Sequence, residues 1–154
     1  MERELFVLEL PALTDFPERL SLSGPRFACL LAWDARGVGV VDVSRFARKL
    51  LDSGAVYICC WGPDCERVHD IIDQEEIGPN PPPVADRVVM TTWHANQPLA
   101  EAIWYVLHCY PDEAYATGYA STIGVAIGSR EWADEIRSAF SDPRKFNARM
   151  LQEP

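Results

Sequence analysis

The sequence predicts a three-layer α/β fold, and three observations carry that prediction. Phe27–Ala32, Val56–Cys60 and Val88–Thr92 are short, nearly unbroken apolar runs, the form taken by strands covered on both faces of a parallel sheet. Each run ends on a tryptophan followed by a polar or turn residue: Trp33-Asp34, Trp61-Gly62 and Trp93-His94. A helical pattern follows each run, and the tryptophans recur at about the length of one strand-helix unit. Adding Thr122–Ile127 gives four such strands. Four units in succession imply a mostly parallel central sheet, right-handed crossovers and helices on both faces. The result is a Rossmann-like or flavodoxin-like domain of four central strands plus an N-terminal edge strand.

In chain order, Glu4–Leu10 alternates in part, with Phe6, Leu8 and Leu10 on one side, and reads as the edge strand. Pro11–Pro25 is a connection rich in proline and small polar residues, with a helical turn expected around Pro17–Leu20. Arg26–Trp33 is the first central strand. After the Asp34–Asp42 loop, Asp42 or Ser44 is expected to cap a helix that ends at Gly54. Phe46 and Leu50 mark its inner face, and Arg45, Arg48 and Lys49 its outer one. Ala55–Trp61 is the next strand, and Asp64 is placed to cap a helix to about Glu76. Gly78–Pro83 reads as a stiff polyproline loop. Arg87–Trp93 is the third strand, followed by a helix capped by Asn96 and stopped at Pro111. Ser121–Ile127 and a helix from Arg130 to about Ser141, with Trp132, Ile136 and Phe140 inward, complete the alternation. Residues 142–154 form a terminal helix or tail.

Composition bounds the function. The chain has 154 residues and a net charge of -9, with 48% hydrophobic residues. A surface so acidic disfavours nucleic acid and anionic membranes as partners. It suits solubility, the commoner reason for such a surface, or a basic protein partner, and self-association is the other form of protein contact expected. No apolar run approaches the roughly 18 residues of a membrane span. The start Met-Glu-Arg-Glu lacks the basic and apolar regions of a leader peptide. Five cysteines, an odd number in mostly apolar patterns, fit a reducing cytoplasm.

In folds of this kind ligands sit at the carboxyl ends of the strands. That rule selects Trp33, Asp34, Trp61, Asp64, Trp93, His94, Asn96 and Ser129. Asp34 and His94 are the candidates for acid/base chemistry, because a carboxylate near an imidazole can move protons. Asp64, Asn96 and Ser129 stand where helix caps belong, which explains them without chemistry. The three indoles could form an aromatic wall for a ligand or partner, or close the core beneath the loops. The segment Cys60-Trp61-Gly62-Pro63-Asp64-Cys65 resembles the Trp-Cys-Gly-Pro-Cys site of thioredoxins, also set between strand and helix. The resemblance covers these six residues alone. Four residues separate the cysteines where thioredoxins have two, so the sulfurs do not share a helical turn.

His69, His94 and His108 are scattered, so no metal site is expected. Arg36-Gly37-Val38-Gly39 lacks the third glycine of a dinucleotide loop, and no cofactor is expected. The reading is a non-catalytic protein-binding, accessory or regulatory module. Its rival is a small enzyme or small-molecule sensor working at the strand ends, and a deep pocket there would favour that rival.

Overall fold

The computed structural model describes residues 3–78 and 88–152. Five strands, β1 (Glu4–Leu10), β2 (Arg26–Trp33), β3 (Ala55–Trp61), β4 (Met90–His94) and β5 (Tyr119–Ile127), form one sheet in the order β1-β5-β2-β3-β4. Every pairing is parallel. The four predicted central strands are therefore neighbours, and β1 is an edge strand paired with β5. Among the described residues five α-helices accompany the sheet: α1 (Val40–Ser53), α2 (Cys65–Ile77), α3 (Leu99–His108), α4 (Arg130–Ser141) and α5 (Pro143–Gln152).

Strand alternation divides the core into two layers. Phe27, Cys29, Leu31 and Trp33 of β2 face α1 and α2, whose Val43, Phe46, Leu50, Val68 and Ile72 meet them. Ala28, Leu30 and Ala32 face α3 and α4, which contribute Leu99, Ile103, Val106, Ile136 and Phe140. Cys60 and Cys59 likewise point to opposite layers. The helix on the second layer lies close to the sheet at Gly124, where a Cβ would come within 2.5 Å of Ile136.

The topology sets where a site can form. The β2-to-β3 and β3-to-β4 connections advance along the sheet through α1 and α2 on one face. The return from β4 to β5 passes through α3 on the other, as right-handed crossovers require. The loops leaving β2 and β5, neighbouring strands, thus part to opposite faces, and so do those leaving β3 and β4. Each parting opens a crevice at the carboxyl ends.

Several local expectations shift. α1 begins at Val40 with Gly39 as its cap residue, so Asp42 and Ser44 lie inside the helix instead of capping it. α3 begins after Pro98; Asn96 does not cap it but takes a left-handed turn conformation, φ 59°. Asp64 holds the cap position of α2, but its carboxylate makes no capping bond. The turn in the first connection falls at Leu13–Asp15, not Pro17–Leu20, because the Asp15 carboxylate accepts from the Ala12 amide at 3.0 Å. β4 starts at Met90, later than predicted. The C-terminal segment is helical as α5. The polyproline loop from Pro79 onward, and Arg87, lie outside the described residues.

Candidate functional site

The crevice between the β2 and β5 loops is a cavity of about 660 Å³. Its floor is apolar: Trp33 from the end of β2, Phe46 from α1, Ile127 from β5 and Leu13 from the loop after β1. Trp132 of α4 forms one wall. Trp33 is buried and meets Phe46 edge-on at 6.1 Å, so the floor is a rigid part of the core. The rim is polar. Arg36, Arg45 and Lys49 bring three cations to it, with Asp34 and Asp42 as its acids. Each cation has an acid partner: Arg36 pairs with Asp34 at 2.7 Å, Arg45 with Asp42 at 4.0 Å and Lys49 with Glu18 at 3.4 Å, so the rim is a ring of exposed ion pairs.

Hydrogen bonds fix the loops that shape the cavity. The Asp34 carboxylate accepts from the Arg36 side chain at 2.9 and 2.7 Å and from the Arg36 amide at 3.1 Å. The Arg36 guanidinium therefore holds the Asp34 carboxyl below its usual range, and the carboxylate stays ionised and paired. The Arg67 guanidinium of α2 donates to the carbonyls of Ala35 and Val38 at 2.9 Å each and to Asp64 at 2.7 Å. One side chain thus ties the β2 loop to the start of α2. At the other wall, the Gly128 amide donates to the Leu10 carbonyl at 2.8 Å and links the ends of β5 and β1. The Ser129 hydroxyl accepts from the Trp132 amide at 3.2 Å and caps α4, as its position predicted.

The remaining predicted residues belong elsewhere. Trp61, Asp64, His94 and Asn96 line the second crevice, between the β3 and β4 loops, of about 490 Å³. The three indoles form no common wall. Trp33 points into the α1/α2 layer and Trp61 toward the α3/α4 layer. Trp93 is 46% exposed and lies against His69 of α2 at 4.6 Å. Trp61 meets Trp132 edge-on at 5.0 Å, and its indole donates to the Gln97 carbonyl at 2.8 Å. This aromatic pair stands between the two crevices.

Asp34 and His94 line different crevices, so the structure does not assemble them into an acid/base pair. His94 is buried, with Nε2 2.9 Å from the Thr92 hydroxyl and Nδ1 3.2 Å from the Gln97 Oε1. Both nitrogens are satisfied in the neutral ring, with Nδ1 donating to Gln97 and Nε2 accepting from Thr92. Burial holds its pKa below the ordinary value. His94 pins the turn between β4 and α3.

The thioredoxin-like segment has no paired thiols. All five cysteines are free and buried, with Cys60 in the core and Cys65 in the first turn of α2. Burial pushes the thiols of Cys29, Cys60 and Cys65 up, away from the reactive thiolate. Among the described residues, no group of three His, Cys, Asp or Glu side chains is placed to hold a metal ion.

Sequence reasoning missed Leu13, Phe46, Arg45, Lys49 and Trp132 as parts of the cavity. Their local patterns are those of ordinary inner and outer helix faces, so no signal in the sequence set them apart.

Over residues 5–143 the chain matches a family described as a domain of unknown function (DUF7684). The chain belongs to that family. The DUF7684 span takes in almost all of the sheet, α1 to α4 and both crevices, and leaves only α5 beyond it. No curated protein and no solved structure matches the chain. Among the described residues, no helix is long and apolar enough to cross a membrane.

Proposed function

We propose that this DUF7684 chain is a non-catalytic binding domain that holds a small amphipathic anion in the crevice between the β2 and β5 loops. The supporting observation is the cavity itself. It lies where neighbouring loops part to opposite faces, the usual place for a ligand in such sheets. Its size falls within the range of small-molecule pockets. The apolar floor suits an aromatic or branched aliphatic body. Arg36 is held by Asp34, but Arg45 and Lys49, whose exposed pairs with Asp42 and Glu18 are weak, can turn to a carboxylate or a similar acid group.

The polar groups best placed for chemistry are already committed: Asp34 to Arg36, and Ser129 to the α4 cap. A sensing or accessory role fits this better than turnover. The free, buried thiols support a reducing, cytoplasmic setting.

Thermal unfolding in the presence of small organic acids tests the reading. A ligand that binds only the folded chain raises the midpoint by mass action. Aromatic or branched carboxylic acids should raise it, and their neutral amides should not. Equal shifts with acids and amides, or no shift across a varied acid panel, would refute it.

A further inference from the structure

A second surface lies at the far side of the sheet. β4 is the last strand, and among the described residues nothing pairs with its outer side. Such an edge presents unpaired backbone N–H and C=O groups, a template for another strand, and proteins commonly blunt it with charge or proline. β4 reads Met-Thr-Thr-Trp-His and carries neither proline nor an acidic or lysine residue. Its flanks are apolar and open. Met90 and Trp93 are exposed on the strand, and Trp104 on α3. The strand alternation sends Trp93 toward α2 and Met90 toward α3. On the α3 side a groove of about 450 Å³ runs beside Thr92, Trp93, Glu101, Trp104 and Met150.

Charge selects the occupant. Glu101 lines the groove on one face of the edge, and Asp70 and Asp73 of α2 adjoin His69, on which Trp93 rests. α5, whose Met150 lines the α3-side groove, carries Arg144, Lys145 and Arg149, so the acidic side of the edge is that of α2, which holds five acids against one arginine. That arginine, Arg67, is committed to Asp64 and two carbonyls. A second copy added edge to edge with α2 beside α2 would set acid against acid.

We propose that the β4 edge docks an extended, arginine-bearing segment of a basic partner protein, added to the sheet as a further strand. The main chain of β4 supplies the pairing, and alternate side chains of the added strand fall to the two faces. An arginine on either face can lie over Trp93 or Trp104 and meet a neighbouring carboxylate at once, which lysine does less well. The net charge of -9 draws such a partner in from a distance. This surface is separate from the cavity between β2 and β5, and either reading can fail without the other.

Random peptides displayed on phage and panned against the full chain at low salt test the proposal. Selected peptides are expected to alternate β-branched or aromatic residues with arginine and to slow amide exchange across Met90–His94. Their affinity should fall at least tenfold on Trp104→Ala and on Glu101→Lys, surface changes that leave the thermal midpoint in place. Arginine-to-lysine replacement in the peptide should weaken it as well. Panning that yields no saturable binder would overturn the proposal. So would binders that protect the Trp33–Asp34 loop instead, or whose affinity ignores both variants. Sedimentation showing a dimer that shields β4 would assign the edge to a second copy.

Discussion

Gly62→Ala probes how tightly the strand ends are built around the cavity. Gly62 leaves β3 with φ +115°, a conformation that side chains rarely adopt. A Cβ placed there would collide with the Trp33 carbonyl oxygen and stand only 2.9 Å from its carbon. Both are backbone atoms at the end of β2, so no side chain can swing away to make room. Gly37 is the matched control: its φ is +80°, yet a Cβ there meets nothing within 4 Å. Placing alanine in the left-handed region costs about 1–2 kcal/mol at either site. Overpacking against a fixed backbone adds about 1–3 kcal/mol at Gly62 alone. The expected losses are therefore roughly 2–5 kcal/mol for Gly62→Ala and roughly 1–2 kcal/mol for Gly37→Ala. Urea unfolding followed by tryptophan fluorescence measures both. Equal losses in the two variants would refute the reasoning, because the Trp33 contact is all that should separate them.

Other outcomes follow from the same contacts. Trp61→Ala removes a half-buried indole, its edge contact with Trp132 and its bond to the Gln97 carbonyl. It should cost about 2–3 kcal/mol, below the full value for a core tryptophan, and a midpoint unchanged within error would return Trp61 to a purely exposed role. His94 has a folded pKa below its ordinary 6.5, so below that pH the unfolded chain binds a proton that the folded one refuses. Its contribution is complete above pH 6.5 and declines as the pH falls toward the folded value. His94→Gln should flatten that decline in a series of urea midpoints, and an identical pH slope in both proteins would count against it. Cys109 is the exception among the thiols: the neighbouring Cys59 thiol and the Arg3 charge hold it below the usual range, and at 8% it is the most exposed of the five. Under native conditions iodoacetamide should reach Cys109 first, and the other four only on unfolding. Early modification of Cys65 would contradict this.

Much of the fold was legible because burial on both faces leaves a plain mark. Runs such as Arg26–Trp33 and Ala55–Trp61 are too apolar for a half-exposed strand and too short for a helix. Helix starts were less legible. Gly39 and Pro98 hold cap positions with no capping side chain, while Asp42 and Asn96, the residues that look like caps, stand elsewhere. The site was half visible. Strand ends named Trp33, Asp34 and Ser129, which line one crevice, together with Trp61, Asp64, His94 and Asn96, which do not, because a list of strand ends cannot show strand order. Only the return of β5 to lie between β1 and β2 brings Leu13, Ile127 and Trp132 to the same cavity as Trp33, and leaves Trp61 and His94 in another. Arg45 and Lys49 read as an ordinary solvated helix face because nothing local reveals the hollow beside them.

The central claim is that the crevice between the β2 and β5 loops takes an apolar anion against Arg45 and Lys49 at its rim. Titration with 1-anilinonaphthalene-8-sulfonate, an aromatic body bearing one sulfonate, tests it most directly. Energy transfer from Trp33 and Trp132 should report saturable, one-to-one binding to the native chain. In the double variant Arg45→Glu/Lys49→Glu, with the circular dichroism spectrum unchanged, the affinity should fall at least tenfold. Binding that does not saturate, or that is the same in the double variant, would contradict the account.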